Sequence, residues 1–429
     1  MGESKSSGAF EFERFDTPPV GTVLYQEHLR ITDRSHIVPF AGYLMPLWYS
    51  SISAEHQAVR RAAGLFDCSH MGILEVAGPE AVGFLNSVTT NEIDKLKVGG
   101  AQYGFILDAA GNVLDDVITY RRAEDRFMMV VNAVNESKIK VYFERLKTDQ
   151  VVIDTDEPDR RSEYKPAIRD MRGPDGDGNR RVDIALQGPR SIEVLVASTG
   201  ERTLGECVAN LKPFQFVEEH IKGIECLISR TGYTGAKTGF ELFVPPEDAA
   251  RLWQLILEKG AAAELLPCGL GARDSLRIEA GLSLYGHELA GEFNISPMEA
   301  GYGWAVKLRK DFFIGKAPME RTAKACDMKV VRVKLPGTPG IRPVRQNDGV
   351  LNGNGECIGW VLSCAKVEES QYALAYVSKE AVTEKDSVGV YYLARSQSQV
   401  QQGRVKSVQE GQKLEADMVG TVASRFAKF

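Results

Sequence analysis

Paired cysteine motifs, clustered histidines, phosphate-binding glycine loops and membrane-length apolar runs are all missing from this sequence of 429 residues. The seven cysteines, at 68, 207, 226, 268, 326, 357 and 364, are scattered and odd in number, with no CxxC pair. That excludes a disulfide framework and points to free, mostly buried thiols in a reducing compartment. The six histidines show no HExxH or similar ligand spacing, so a metal site has no support. No GxGxxG follows a predicted strand and no Walker A pattern occurs, which removes nucleotide phosphate binding. No apolar run is long enough to span a bilayer. A formal net charge of -6 and a pI near 5.7 argue against nucleic acid as a main partner.

The opening MGESKSSGAFEFERFDTPP has neither the basic-then-apolar order of a signal peptide nor the arginine-rich amphipathy of a transit peptide. Gly2 and Ser6 formally fit a myristoylation pattern, but a soluble N-terminal arm and a cytoplasmic location are the expectation.

What is present is an ordinary globular composition, 43% hydrophobic and 26% charged with mean hydropathy -0.20. The length calls for more than one core. From Thr22 to Arg61 a strand or two should precede a helix beginning near Ser51. Leu65 to Tyr120 alternates strands with a helix around 79–85, and a strand at Arg126 to Asn132 leads to a helix near Asn135 to Leu146. This predicts α+β layers on antiparallel sheets. Glu157 to Arg180 differs: twelve of its twenty-four residues are charged and three are glycine, so it reads as an exposed loop. Its DGDGN at 175–179 lacks the downstream glutamate of a calcium loop. Alternation returns after Val182 and ends in the helical GLGARDSLRIEAGL at 269–282. Beyond Phe293, short strands such as MKVVRVKL, CIGWVLSC and SVGVYYLA predict a small barrel or sandwich, with two more strands in QGRVKSVQEGQKLEADMVGTV.

One hairpin stands out. In GFILDAAGNVLDDVITY, Gly104 to Tyr120, two apolar runs flank a turn of Asp108, Gly111 and Asn112. Alternation puts Val113, Asp115, Val117 and Thr119 on one face and Leu114, Asp116, Ile118 and Tyr120 on the other. One aspartate should therefore face solvent while the other sits among bulky apolar side chains. A buried carboxylate needs a partner, from the protein or from a ligand. Two glycine-punctuated segments join it, FDCSHMG at 66–72 and SRTGYTGAKTGFEL at 229–242. The latter brackets Tyr233 and returns to Glu241. GLGARDSLRIEAG places Arg273 and Arg277 one helical turn apart. Each alone has a bland reading: Asp116 as a turn cap, Glu241 as a solvent-facing strand residue, Arg273 as a surface ion-pair partner, Tyr103 and Tyr233 as core or rim aromatics.

Together, FAGYLMPLWYSSI at 40–52, GLFDCSHMG at 64–72, TTNEI at 89–93, LDDV at 114–117, SRTGYTG at 229–235, GLGARDSLRIEAG and WAVKLRKDFFIGK resemble the aminomethyltransferase (T-protein) family of the glycine cleavage system. The resemblance implies a three-domain cloverleaf of antiparallel-sheet α+β domains with a C-terminal β-barrel-like domain. Its expected boundaries are 1–65 plus 152–291, 66–151 and 292–429. It also implies an enzyme that takes an aminomethyl group from the lipoyl arm of H-protein, releases ammonia and forms methylene-tetrahydrofolate. Asp116 matches the family's catalytic aspartate. Glu241 matches the carboxylate that takes two parallel pterin N–H groups, Arg273 a folate-ligand position, and Tyr103, Asn132 and Tyr233 the pocket lining.

The sequence departs from the family at Tyr43, where a tryptophan is usual, in a Tyr233 loop one residue longer, and in the charged insertion. VLSCAKVEESQYALAYV stands where a Ser-Gly-Phe-Ser-Pro stretch is expected, and the terminal SRFAKF carries no tyrosine. Two further readings stay open: a tetrahydrofolate-dependent demethylase of a small methylated or methoxylated compound, and a non-enzymatic folate-binding protein of iron–sulfur assembly.

Overall fold

The computed structural model describes residues 8–13, 17–173, 178–427 and 429. The Gly2/Ser6 pattern and residues 175–177 of DGDGN lie outside them. The chain divides into two units. One takes in the chain to Gly232, then Ala236–Arg273 and Trp304–Arg321; the other takes in Tyr233–Gly235, Asp274–Gly303 and Thr322–Phe429.

Two sheets dominate the first unit. A six-stranded sheet runs in the order Phe216–Ile221, Ile224–Ser229, Gly239–Val244, Val182–Gln187, Ala63–Asp67, Leu265–Cys268. A five-stranded sheet runs Ala101–Leu107, Val113–Ala123, Arg126–Val131, Gly72–Ala77, Ala167–Asp170. Ile73, Tyr120, Met128 and Val130 of the second sheet pack with Phe216, Leu227 and Phe243 of the first, so the two share a core. The outer face of the six-stranded sheet buries Val182, Ile184, Leu186 and Val244 with Leu252, Trp253 and Ile256 of the helix Ala249–Gly260. The outer face of the other packs on the helices Ala81–Val88 and Glu136–Lys147. Both sheets are thus covered on both sides. In these two sheets pairing is antiparallel except at one edge of the six-stranded sheet, where Leu265–Cys268 runs parallel to Ala63–Asp67. A three-stranded sheet, Val20–Gly21, Tyr43–Pro46 and Ile37–Phe40, completes this unit.

The expected helix near Ser51 is Ile52–Arg61, and Ser51 caps it by accepting from the Ala54 N–H at 3.1 Å. The helix Tyr25–Ile31 was not expected. Its apolar residues are too few and too irregular to show a period. The charged insertion is not loop throughout: Ala167–Asp170 adds an edge strand beside Gly72–Ala77.

The second unit carries a closed six-stranded barrel, in the order Met328–Pro336, Ser370–Ser378, Cys357–Val367, Gly349–Leu351, Ser387–Tyr391, Met418–Ala423. Alternating valines from its strands, among them Val331, Val333, Val361, Val377, Val388 and Val422, fill the interior. The final stretch forms one strand, Met418–Ala423, where two were expected. Earlier in the stretch Arg404 pairs with Asp417 and Lys413 makes only an isolated bridge to Glu356, and no second strand forms. Of the cysteines, 68, 226, 268 and 357 are buried, 326 and 364 half-buried and 207 exposed, and all are free thiols.

Candidate functional site

The hairpin forms as expected and turns tightly. Asp108 accepts from the Asn112 N–H through Oδ1 and from the Asn112 side-chain amide through Oδ2, both at 2.9 Å. Gly111 sits at φ +87°, where an L side chain would be strained. A β-bulge then interrupts the register: Leu107 pairs with Val113 but Ile106 pairs with Asp115, leaving Leu114 as the extra residue. This overturns the simple alternation. Leu114 packs with Val117 under the helices, whereas Ile118 and Tyr120 enter the core between the sheets.

Neither aspartate faces solvent, contrary to expectation. Asp115 is fully buried and accepts from the Asn132 N–H at 3.0 Å, the Asn132 amide at 2.8 Å and the Asn135 amide at 2.6 Å. These donors stand at the entrance to the helix Glu136–Lys147, where the helix dipole also favours an anion. Asp116 is half-buried; Tyr103 donates to its Oδ2 at 3.0 Å and Asn132 to its Oδ1 at 2.8 Å. One amide therefore bridges both carboxylates. Burial pushes both acids above the usual carboxylate range, and the neighbouring Asp116 charge adds to the rise at Asp115; the Tyr103 and Asn132 hydrogen bonds oppose the rise at Asp116. Tyr103 packs edge-on to Phe105, and Trp304, 53% exposed, has its ring 5.9 Å from that of Tyr103.

Tyr120, four residues along the same strand, donates from its hydroxyl to Glu241 Oε2 at 3.3 Å, and Thr231 donates to the same oxygen. Glu241 lies on the inner face of the six-stranded sheet, opposite Ala185 and Ser229. Burial raises it above its ordinary value, while the Thr231 and Tyr120 hydroxyls and the Arg273 guanidinium pull it back. Arg273 donates to Cys68 Sγ at 3.2 Å. His70, from the same FDCSHMG turn, is held near pKa 3 by burial and by the Arg273 and Arg172 charges, so its ring is neutral. The glycines of SRTGYTGAKTGFEL admit a protein side chain: a Cβ at Gly232 or Gly239 would collide with Gln187. Gln187 donates to the carbonyls of Thr231 and Phe240, fixing the strand that presents Glu241.

All the expected site residues except Tyr233 lie in the first unit, with Tyr103, Asp116 and Asn132 hydrogen-bonded together and Glu241 electrostatically coupled to Arg273. Tyr233 belongs to the second unit, where its hydroxyl donates to the Ser283 carbonyl at 2.5 Å. Asp115 and Asp183 were missed. The doubled aspartate was the available signal for Asp115. Asp183 meets Glu241 only through strand register, which the sequence does not display.

Residues 25–310 match the family model described as the GCVT N-terminal domain. The chain is 40% identical to an aminomethyltransferase from Symbiobacterium thermophilum, over 83% of this chain and 88% of that protein. It is also 40% identical to one from Thermus thermophilus, over 84% and 92%. The crystal structure of the glycine cleavage system aminomethyltransferase T from Bartonella henselae superposes with a TM-score of 0.73 at 28% identity, over 94% of this chain and 96% of that one. The chain therefore belongs to the aminomethyltransferase family of the glycine cleavage system.

Proposed function

We propose that this chain, an aminomethyltransferase of the glycine cleavage system, moves a one-carbon unit from the aminomethyl-lipoyl arm of H-protein to tetrahydrofolate with release of ammonia. The observation that carries this reading is the pairing of Asp116 with Tyr103 and Asn132 on a strand whose Tyr120 reaches Glu241. The donor set suits a reduced pterin: its adjacent ring and amino N–H groups are two parallel donors that a bidentate carboxylate accepts, and Glu241 supplies one. Tetrahydrofolate supplies the nitrogens that receive the carbon. The protein orients the reactants and manages charge. Asp116 holds the proton that leaves with ammonia, a task its raised pKa suits, and once ionised its carboxylate stabilises positive charge at the transferred carbon. Asn132 and Tyr103 fix its orientation, and Arg273 holds folate oxygens. Tyr233 is assigned to the pocket lining on the family pattern. The division into 1–65 plus 152–291, 66–151 and 292–429 is proposed with it. The separate sheets support that division, although Ala167–Asp170 crosses it to join the five-stranded sheet, Trp304–Arg321 belongs with the first unit, and Tyr233–Gly235 and Asp274–Gly303 belong with the second.

Purified protein incubated with tetrahydrofolate and aminomethylated H-protein is expected to release ammonia in step with methylene-tetrahydrofolate. Tight folate binding with no ammonia would refute the donor and leave the folate pocket. The demethylase and iron–sulfur readings are not favoured, since relatives matched over most of their length are aminomethyltransferases. Among the described residues, no helix is long and apolar enough to cross a membrane.

A further inference from the structure

Asp183 occupies an unusual position for a carboxylate. Its strand, Val182–Gln187, is interior to the six-stranded sheet, with Gly239–Val244 on one side and Ala63–Asp67 on the other. Val182, Ile184 and Leu186 fill the outer core, so Asp183 points to the opposite, inner face. There it lies across from Phe243 and diagonal to Glu241, whose direct partner is Ala185. Asp183 is only 2% exposed, and its Oδ1 has no hydrogen-bond partner. A buried polar atom in that state calls for an explanation, and a group supplied from outside the chain is one that can complete it.

We propose that Asp183 is a second reader of the ring held by Glu241, its carboxyl group donating a hydrogen bond to the ring carbonyl beside the N–H pair that Glu241 accepts. This rests on the folate reading. A 2-amino-4-oxo pyrimidine edge presents donor, donor and acceptor in a row. Glu241 answers the two donors and Asp183 the acceptor, provided Asp183 keeps its proton. The surroundings favour that. Burial and the Glu241 charge raise Asp183 well above the carboxylate range, and Asp67 adds to the rise. Arg273 and the Leu242 N–H oppose it. Glu241, with two hydroxyl donors of its own, is the better place for the negative charge. Tyr120 and Cys226 also feel Asp183, and both stay neutral because burial raises them.

The test compares binding of tetrahydrofolate with that of its 4-thioxo counterpart, which keeps both N–H donors that Glu241 accepts and replaces the ring carbonyl by a much weaker acceptor. The wild-type protein is expected to prefer the 4-oxo ligand by about tenfold. Asp183→Ala should collapse that preference to within about threefold by weakening the 4-oxo ligand. Asp183→Asn should keep the preference, since its amide still donates. Asp183→Leu, which fills the site without a donor, should lose it as the alanine variant does, and it serves if the alanine variant does not fold. A wild-type preference that survives Asp183→Ala or Asp183→Leu, or an equal loss for both ligands, overturns the assignment of Asp183 and leaves folate binding standing. Failure of the wild-type protein to bind tetrahydrofolate overturns the folate reading and this one together.

Discussion

Asp67 and Asp116 are both strand carboxylates drawn away from water, yet they are pushed in opposite directions. Asp67, at the end of Ala63–Asp67, accepts from the Thr22 hydroxyl at 2.7 Å and the Ser69 N–H at 2.8 Å. His28 Nε2 lies 2.8 Å from its carboxylate, in a side-chain pair almost wholly buried. Burial alone would raise it, but the His28, Ser69 and Thr22 hydrogen bonds together with the His28 charge win, and it sits far below the usual range. Asp116 has a phenol and half of a shared amide, and there burial wins. Depth does not decide which way a strand carboxylate is pushed; the number and charge of its donors do. Asp67 is a finished junction of three segments, whereas Asp116 is left with capacity to spare.

Replacing each acid or its partners should break the contrast in different observables. Asp116→Asn keeps the shape and loses the charge. Ammonia release should fall about 10²–10⁴-fold while folding is retained, as single-turnover assays and thermal melts would show. Full turnover in that variant would end the role given to Asp116. His28→Ala strikes the other member of the comparison by leaving a buried carboxylate without its ring partner. A loss of about 3–5 kcal/mol is expected in urea unfolding. Because Asp67 is depressed in the folded state, its contribution is complete above its unfolded pKa of about 3.9 and disappears as pH falls through its lower folded value. Asp67→Asn should accordingly flatten the acid limb of stability against pH. Tyr103→Phe is the gentlest change. It removes a donor that holds Asp116 down, so the acid limb of kcat/KM should move up by about half to one pH unit, with at most about 1.5 kcal/mol lost from stability.

Much of this contrast was legible in the residues. The turn at Asp108–Asn112 and the carboxylate at Asp116 depend on neighbours within a few positions, and period-two alternation reads such features well. It failed at Leu114, where a single bulged residue moved a leucine to the other face, and at Asp115, because both sides of the sheet are covered. A pattern of alternation assumes one dry face and one wet one. The partners of Asp67 gave no sign, since Thr22 and His28 reach it across 45 and 39 residues of chain. Asp183 and Glu241 likewise meet through β pairing. Contacts of this kind are set by register, and only the folded sheet reveals them.

The segment Trp304–Arg321 belongs to the first unit although it follows part of the second in the chain. Lys310 donates to the carbonyls of Asn86, Thr89 and Asn91, the last of them 219 residues earlier. Lys307 N–H and the Ala305 carbonyl close on Thr90, and Ile314 N–H on Ser87. On a ribosome these strap residues emerge long after the strands and helices they fasten, and domains otherwise tend to fold in order of emergence. Until then the carbonyls that Lys310 will hold must stay with water. The nascent sheets wait as an open assembly, and synthesis of the strap becomes the event that locks the half of the molecule bearing Asp116.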